Sequence, residues 1–122
     1  MISLVVYKNV HLLGVVMILL ALGGLILHRI IGGTRAHAWR KPVAITHGVG
    51  LLLALVSGFG MLARLGIYWP IPGWVIGKIV IWLVFGALVA VIFRSSALAK
   101  SLWWVTIVLA GLAGYLALNK PF

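Results

Sequence analysis

Not one aspartate or glutamate occurs among these 122 residues, which carry ten lysines and arginines. Without a carboxylate side chain the chain has no group for general acid/base work of that type and none for binding Mg²⁺ or Ca²⁺. Proton-coupled transport usually rests on intramembrane acids, so an antiporter built on them is disfavoured. Cysteine is absent as well, which excludes disulfides, iron–sulfur ligation, c-type haem attachment and a zinc site containing cysteine. The serines at 3, 57, 95, 96 and 101 have no acidic residue to complete a catalytic triad. No phosphate-binding glycine loop or metalloprotease motif is present, and nothing indicates an independent enzyme. Charge of any kind is scarce: 8% of residues are charged, against about 25% in soluble domains. With 65% hydrophobic residues and a mean hydropathy of +1.28, a water-facing surface cannot be assembled. The solvent of this protein is lipid.

What is present is apolar and periodic. Four segments approach the ~20 residues that cross a hydrocarbon layer, at about 4–28, 43–65, 74–93 and 101–118. Short connections make sequence neighbours antiparallel neighbours. The expected fold is therefore a single all-α domain, a transmembrane up-down-up-down four-helix bundle. The first segment lacks a basic leader and a small-residue cleavage site, so it reads as a retained helix. Gly32-Gly33 marks the end of helix 1, Pro42 opens helix 2, and Arg94-Ser95-Ser96 closes helix 3. Helix 4 ends at Asn119-Lys120-Pro121. Tyr68-Trp69-Pro70-Ile71-Pro72-Gly73-Trp74 reads as an interfacial loop, its prolines breaking any helix and its aromatics belonging at headgroup level. Small residues at Gly50, Ala54, Gly58, Gly77, Gly86, Ala110, Gly111, Ala113, Gly114 and Ala117 mark expected helix contacts.

The basic residues are scattered singly through apolar sequence, which argues for anionic lipid headgroups rather than nucleic acid as their partners. Arg29, Arg35, Arg40, Lys41, Arg94 and Lys100 fall on the first and third connections, while Lys8, Arg64, Lys78 and Lys120 fall on the other side. By the positive-inside rule the first and third connections are cytoplasmic and both termini lie outside.

The stretch from His28 to His47 holds three of the four histidines and four of the ten basic residues. On helix 1, His11, Gly14, Ile18, Ala21, Leu25 and His28 share one face; on helix 2, His47, Gly50, Ala54, Ser57 and Met61 do the same. Histidine with small residues on facing helices is what a b-type haem requires, since two neutral imidazoles must meet across a flat macrocycle. His28 and His47 are the expected iron ligands, with Arg29, Arg40 and Lys41 placed to meet propionates. One obstacle is geometric. Directly packed helices lie ~8–10 Å apart, too close for a porphyrin between two imidazoles, so the pair would need helices that splay or stand diagonally, or two protomers. A second site at His11, with Met61 opposite, is conceivable. Lys8 and Lys78 lie near it in depth and need counter-charges from lipid phosphates, haem propionates or another subunit. Contact with headgroups or with backbone carbonyls is the plain alternative for His28 and His47, and His37 reads as an exposed bystander.

Lys8-x-x-His11-Leu-x-Gly14, Thr46-His47-Gly48-x-Gly50 with Ser57-Gly58, and Trp74-x-x-Gly77-Lys78 resemble two groups. One is the SirB-like small four-helix membrane proteins; the other is the membrane domain of copper-resistance protein D. The resemblance implies an integral inner-membrane bundle with histidines near helix ends, here His11 and His47. For the copper-resistance group it would also imply metal handling. This sequence departs from that pattern in having only Met1, Met17 and Met61, too few for a Cu(I) relay.

Three functions are therefore in play. The first is a membrane b-type haem protein passing electrons to or from a quinone or partner subunit. The second is a cofactor-free accessory subunit of a larger membrane complex, its charge balanced by an acidic partner. The third is an oligomeric pore for anions or small solutes, lined by Lys8, Lys78 and Arg64.

Overall fold

A computed structural model of the chain, described over residues 3–120, contains four helices and is 81% helical. They are α1 (Leu4–Ile30), α2 (Arg40–Arg64), α3 (Gly73–Ile92) and α4 (Ser96–Asn119), and all four are long and apolar enough to cross a membrane. Met1 and Pro121, part of the methionine and helix-stop readings, lie outside the described residues. Loop 1 (31–39) and loop 3 (93–95) lie at one end of the bundle, and loop 2 (65–72) lies at the other with the start of α1 and the end of α4.

The helix ends follow local chemistry. Gly32 (φ +97°) and Gly66 (φ +71°) take the left-handed conformation after α1 and α2. Each permits the same pair of reverse bonds: Gly33 N to His28 O and Gly32 N to Arg29 O after α1, Ile67 N to Leu62 O and Gly66 N to Ala63 O after α2. These satisfy carbonyls that a helix end would otherwise leave bare. The largest boundary difference is at α4, which begins at Ser96 and not near 101. Ser95 is not a stop after α3 but the N-cap of α4, its hydroxyl accepting from Leu98 N. A serine pair between apolar runs serves either purpose, and the cap prevails because it meets an orphan donor. Lys100 therefore lies on α4, in its second turn.

α1 and α2 form the most extensive helix pair. The faces expected to be buried are buried: Gly14, Ile18, Ala21 and Leu25 on α1, and His47, Gly50, Ala54 and Ser57 on α2. The crossing point is a reciprocal glycine contact. A methyl on Gly14 would come within 2.8 Å of Gly50 O and Ala54 N, and one on Gly50 within 2.8 Å of Gly14 O. Only hydrogen fits at either position, and this lets the two backbones touch. Gly77 meets Leu116 and Gly86 meets Leu51, but Gly111 and Gly114 on α4 have no neighbour within 4 Å. The α4 glycines are thus not internal packing sites.

α1 also packs on α3 and α4, and α3 packs on α4, whereas α2 and α3 touch least of the contacting pairs. Among the described side-chain hydrogen bonds, two tie α2 to α3: Trp82 Nε1 donates to Leu51 O at 2.9 Å, and His47 Nε2 donates to Phe85 O at 3.0 Å. Toward loop 2 the two helices diverge around a cavity.

Candidate functional site

The cavity at the loop-2 end has a volume of about 710 Å³ and draws walls from all four helices. This lies in the range of small-molecule and cofactor sites. Its lining is mainly apolar, with Phe59, Trp74, Trp82 and Phe85 among the aromatic side chains. Four side chains that line it can carry positive charge: His11 and Lys8 from α1, Lys78 from α3, and Lys120 just beyond α4. Lys120 lies over the Trp74 ring, its Nζ 5.5 Å from the centroid. Lys78 is half-buried and within electrostatic range of the His11 ring.

His11 is the one imidazole of this cluster, and its hydrogen bonds fix its chemistry. Nδ1 lies 2.9 Å from Ala54 O and 3.1 Å from Ser57 Oγ. A carbonyl only accepts, so Nδ1 carries the proton and donates. Ser57, 1% exposed, donates its own hydroxyl to Leu53 O and so has lone pairs left to accept from His11. In the neutral ring Nε2 is then the nitrogen with a free electron pair. This is the usual arrangement of a metal-ligating histidine, whose second nitrogen is held by a carbonyl. Gly58 packs beside the ring, where a methyl would meet it at an ordinary contact distance of 3.6 Å. The nearby backbones at Gly14 and Gly50 hold Ala54 within reach of His11.

His28 and His47 are not brought together. The contacts His11–Ser57, Gly14–Ala54 and Ile18–Gly50 set the α1–α2 register, in which His47 stands level with about residue 21 of α1. His28 is seven residues further along, or ~10 Å at 1.5 Å per residue. Each ring has its own carbonyl partner: His47 Nε2 bonds Phe85 O inside the bundle, and His28 Nε2 bonds Thr34 O in loop 1 at 2.9 Å. Carbonyl capping, the plain alternative, describes both. Gly33 accommodates the folded-back His28 ring, since any side chain there would collide with it. His37 is not a bystander but half-buried, its ring centroid 4.6 Å from that of His28.

The other expected site residues divide between the two ends. Lys78 and Met61 line the cavity with His11. Met61 lies one turn of α2 beyond Ser57, the residue level with His11. Arg29, Arg40 and Lys41 lie at the loop-1 end, away from the cavity. Lys120 and Trp74 were not read from the sequence as site residues, Trp74 entering only as part of Trp74-x-x-Gly77-Lys78 and in the interfacial loop; the closure of α4 against the start of α3 brings them in. Among the described residues no three metal-ligating side chains converge. No family model, no curated protein and no solved structure matches this chain.

Proposed function

We propose that the cavity binds a large, flat, anionic amphiphile, b-type haem, and that the protein carries electrons within the bilayer. The observation that carries this is His11: its Nδ1–H is committed to Ala54 O, and its ring lines an apolar cavity together with three lysines. The donor set fits the group. His11 Nε2 offers the lone pair an iron requires, Lys8, Lys78 and Lys120 match propionate carboxylates, and aromatic walls match an apolar macrocycle. The ligands differ from the expected pair, since His11 lines the cavity and neither His28 nor His47 does. When bound, haem supplies a one-electron ferric/ferrous couple. The protein's own part is to fix the imidazole tautomer, neutralise the carboxylates and keep water from the apolar walls. A membrane quinone or a partner subunit is the matching electron partner. Protein purified with haem supplementation should show a Soret band that shifts on reduction with dithionite. A stable bundle with no Soret band in either state would end this reading.

The orientation proposed for this function puts loops 1 and 3 in the cytoplasm and both termini outside, in an inner membrane like that of the resembling groups. Its support is the excess of Arg and Lys at the loop-1 end. The cysteine-free chain gives a clean assay. Ser95→Cys in intact cells should resist a membrane-impermeant maleimide, and Tyr68→Cys should react; the opposite pattern inverts the orientation.

A further inference from the structure

At the loop-1 end the protein gathers positive charge that none of its own side chains can neutralise. Arg29 donates through Nη1 to Gly33 O at 3.3 Å, and its Nε is buried without an acceptor. Arg35 lies over the Phe93 ring with Cζ 5.7 Å from the centroid, and the same ring meets His28 edge-on at 6.3 Å. Phe93 thus pins loop 1 against the end of α3. The pinned loop holds Arg35 near the end of α1, where Arg29 sits, while Arg40 and Lys41 follow on the first turn of α2. No aspartate or glutamate exists anywhere in the chain to pair with them.

The counter-charge must therefore come from outside the chain. A guanidinium presents five N–H donors in a planar fork that matches phosphate oxygens, and Arg29 uses one of its five on Gly33. Apolar side chains border the same cluster: Ile31 is 76% exposed and Trp39 is 69% exposed. An exposed isoleucine and an exposed tryptophan in this loop match acyl chains and the headgroup layer, and free phosphate would leave both bare. We propose that the loop-1 end is a binding site for the phosphate of an anionic phospholipid, held by Arg29 and Arg35 with Arg40 and Lys41 in support. This site is separate from the cavity and does not rest on its occupant.

The test uses the full chain, delipidated in neutral detergent and titrated with phosphatidylglycerol or phosphatidylcholine, with retained lipid read by native mass spectrometry. Wild type should retain phosphatidylglycerol and not phosphatidylcholine. Near an anionic surface each basic residue contributes ~1 kcal/mol, or roughly fivefold in affinity. Arg35→Gln/Arg40→Gln/Lys41→Gln should therefore weaken phosphatidylglycerol binding by at least about tenfold. All three positions are exposed, and the charge-preserving Arg35→Lys/Arg40→Lys variant should retain most of the binding. Lys8→Gln/Lys120→Gln, at the other end, should bind as wild type. Equal retention of the two lipids, or a triple variant that binds like wild type, would overturn the proposal. So would displacement of the lipid by millimolar inorganic phosphate as readily as by phosphatidylglycerol, which would make this a free-anion site. The Soret band of the same samples reports the cavity independently.

Discussion

His11→Ala should abolish haem binding, lowering affinity by at least about a hundredfold, while His28→Ala and His47→Ala bind within a few-fold of wild type. Of these three rings, His11 alone is both held by its Nδ1 and part of the cavity lining. Loss of the ring removes the iron's one imidazole donor, whereas neither other histidine lines the cavity, and its loss removes only a bond to a backbone carbonyl. Spectral titration of the three variants with haem separates the two possible ligand sets. If His28→Ala or His47→Ala lost the Soret band while His11→Ala kept it, the ligands would be the two histidines that the sequence pattern favours. Ser57→Ala is the graded arm. It removes a partner that orients the His11 ring, and such partners affect metal affinity by ~10–100-fold.

Gly14→Leu should prevent the bundle from forming, and Gly14→Ala should destabilise it by about 1–3 kcal/mol, the usual cost of overpacking. The reason is specific to this crossing. The atoms a new methyl would meet at 2.8 Å are the Gly50 carbonyl oxygen and the Ala54 amide nitrogen. Backbone atoms cannot rotate aside as a side chain can, so the two helices must part. Parting them also draws Ala54 O away from His11, so Gly14→Ala should weaken haem binding more than its stability loss alone would predict. Gly111→Ala serves as the control, having open space where the methyl goes; its effect should fall within ~0.5 kcal/mol. Reversible unfolding in mixed micelles, followed by far-UV circular dichroism, measures all three. Equal stability of the Gly14→Ala and Gly111→Ala variants would show that the crossing is looser than described.

The sequence reveals angle better than depth. Periodicity alone placed Gly14, Ile18, Ala21 and Leu25 on one buried face, and Gly50, Ala54 and Ser57 on another, because 100° per residue follows directly from helix geometry. It says nothing about how far one helix slides along its neighbour. Pairing His28 with His47 assumed that slide from the loop length. The actual register is set where two glycines allow backbone contact, and Gly14 and Gly50 were the available clue. Met61 lines the same cavity as His11 but stands a turn of α2 beyond its level, for the same reason. The tautomer of His11 was beyond reach, since it depends on a carbonyl 43 positions away. Lys120 and Trp74 join the cavity through tertiary closure, which has no local pattern. Ser95 shows a further limit: one residue type both ends and begins helices, and only the bonded partner decides between the two.

The two bonds that cross between α2 and α3, from Trp82 and from His47, lie at mid-depth and toward loop 1. They act like the spine of a half-open book, with the pages free at the loop-2 end. Guests would then come and go sideways from the acyl chains, without crossing water. The thickness and lateral pressure of the surrounding leaflet would set how wide the pages stand.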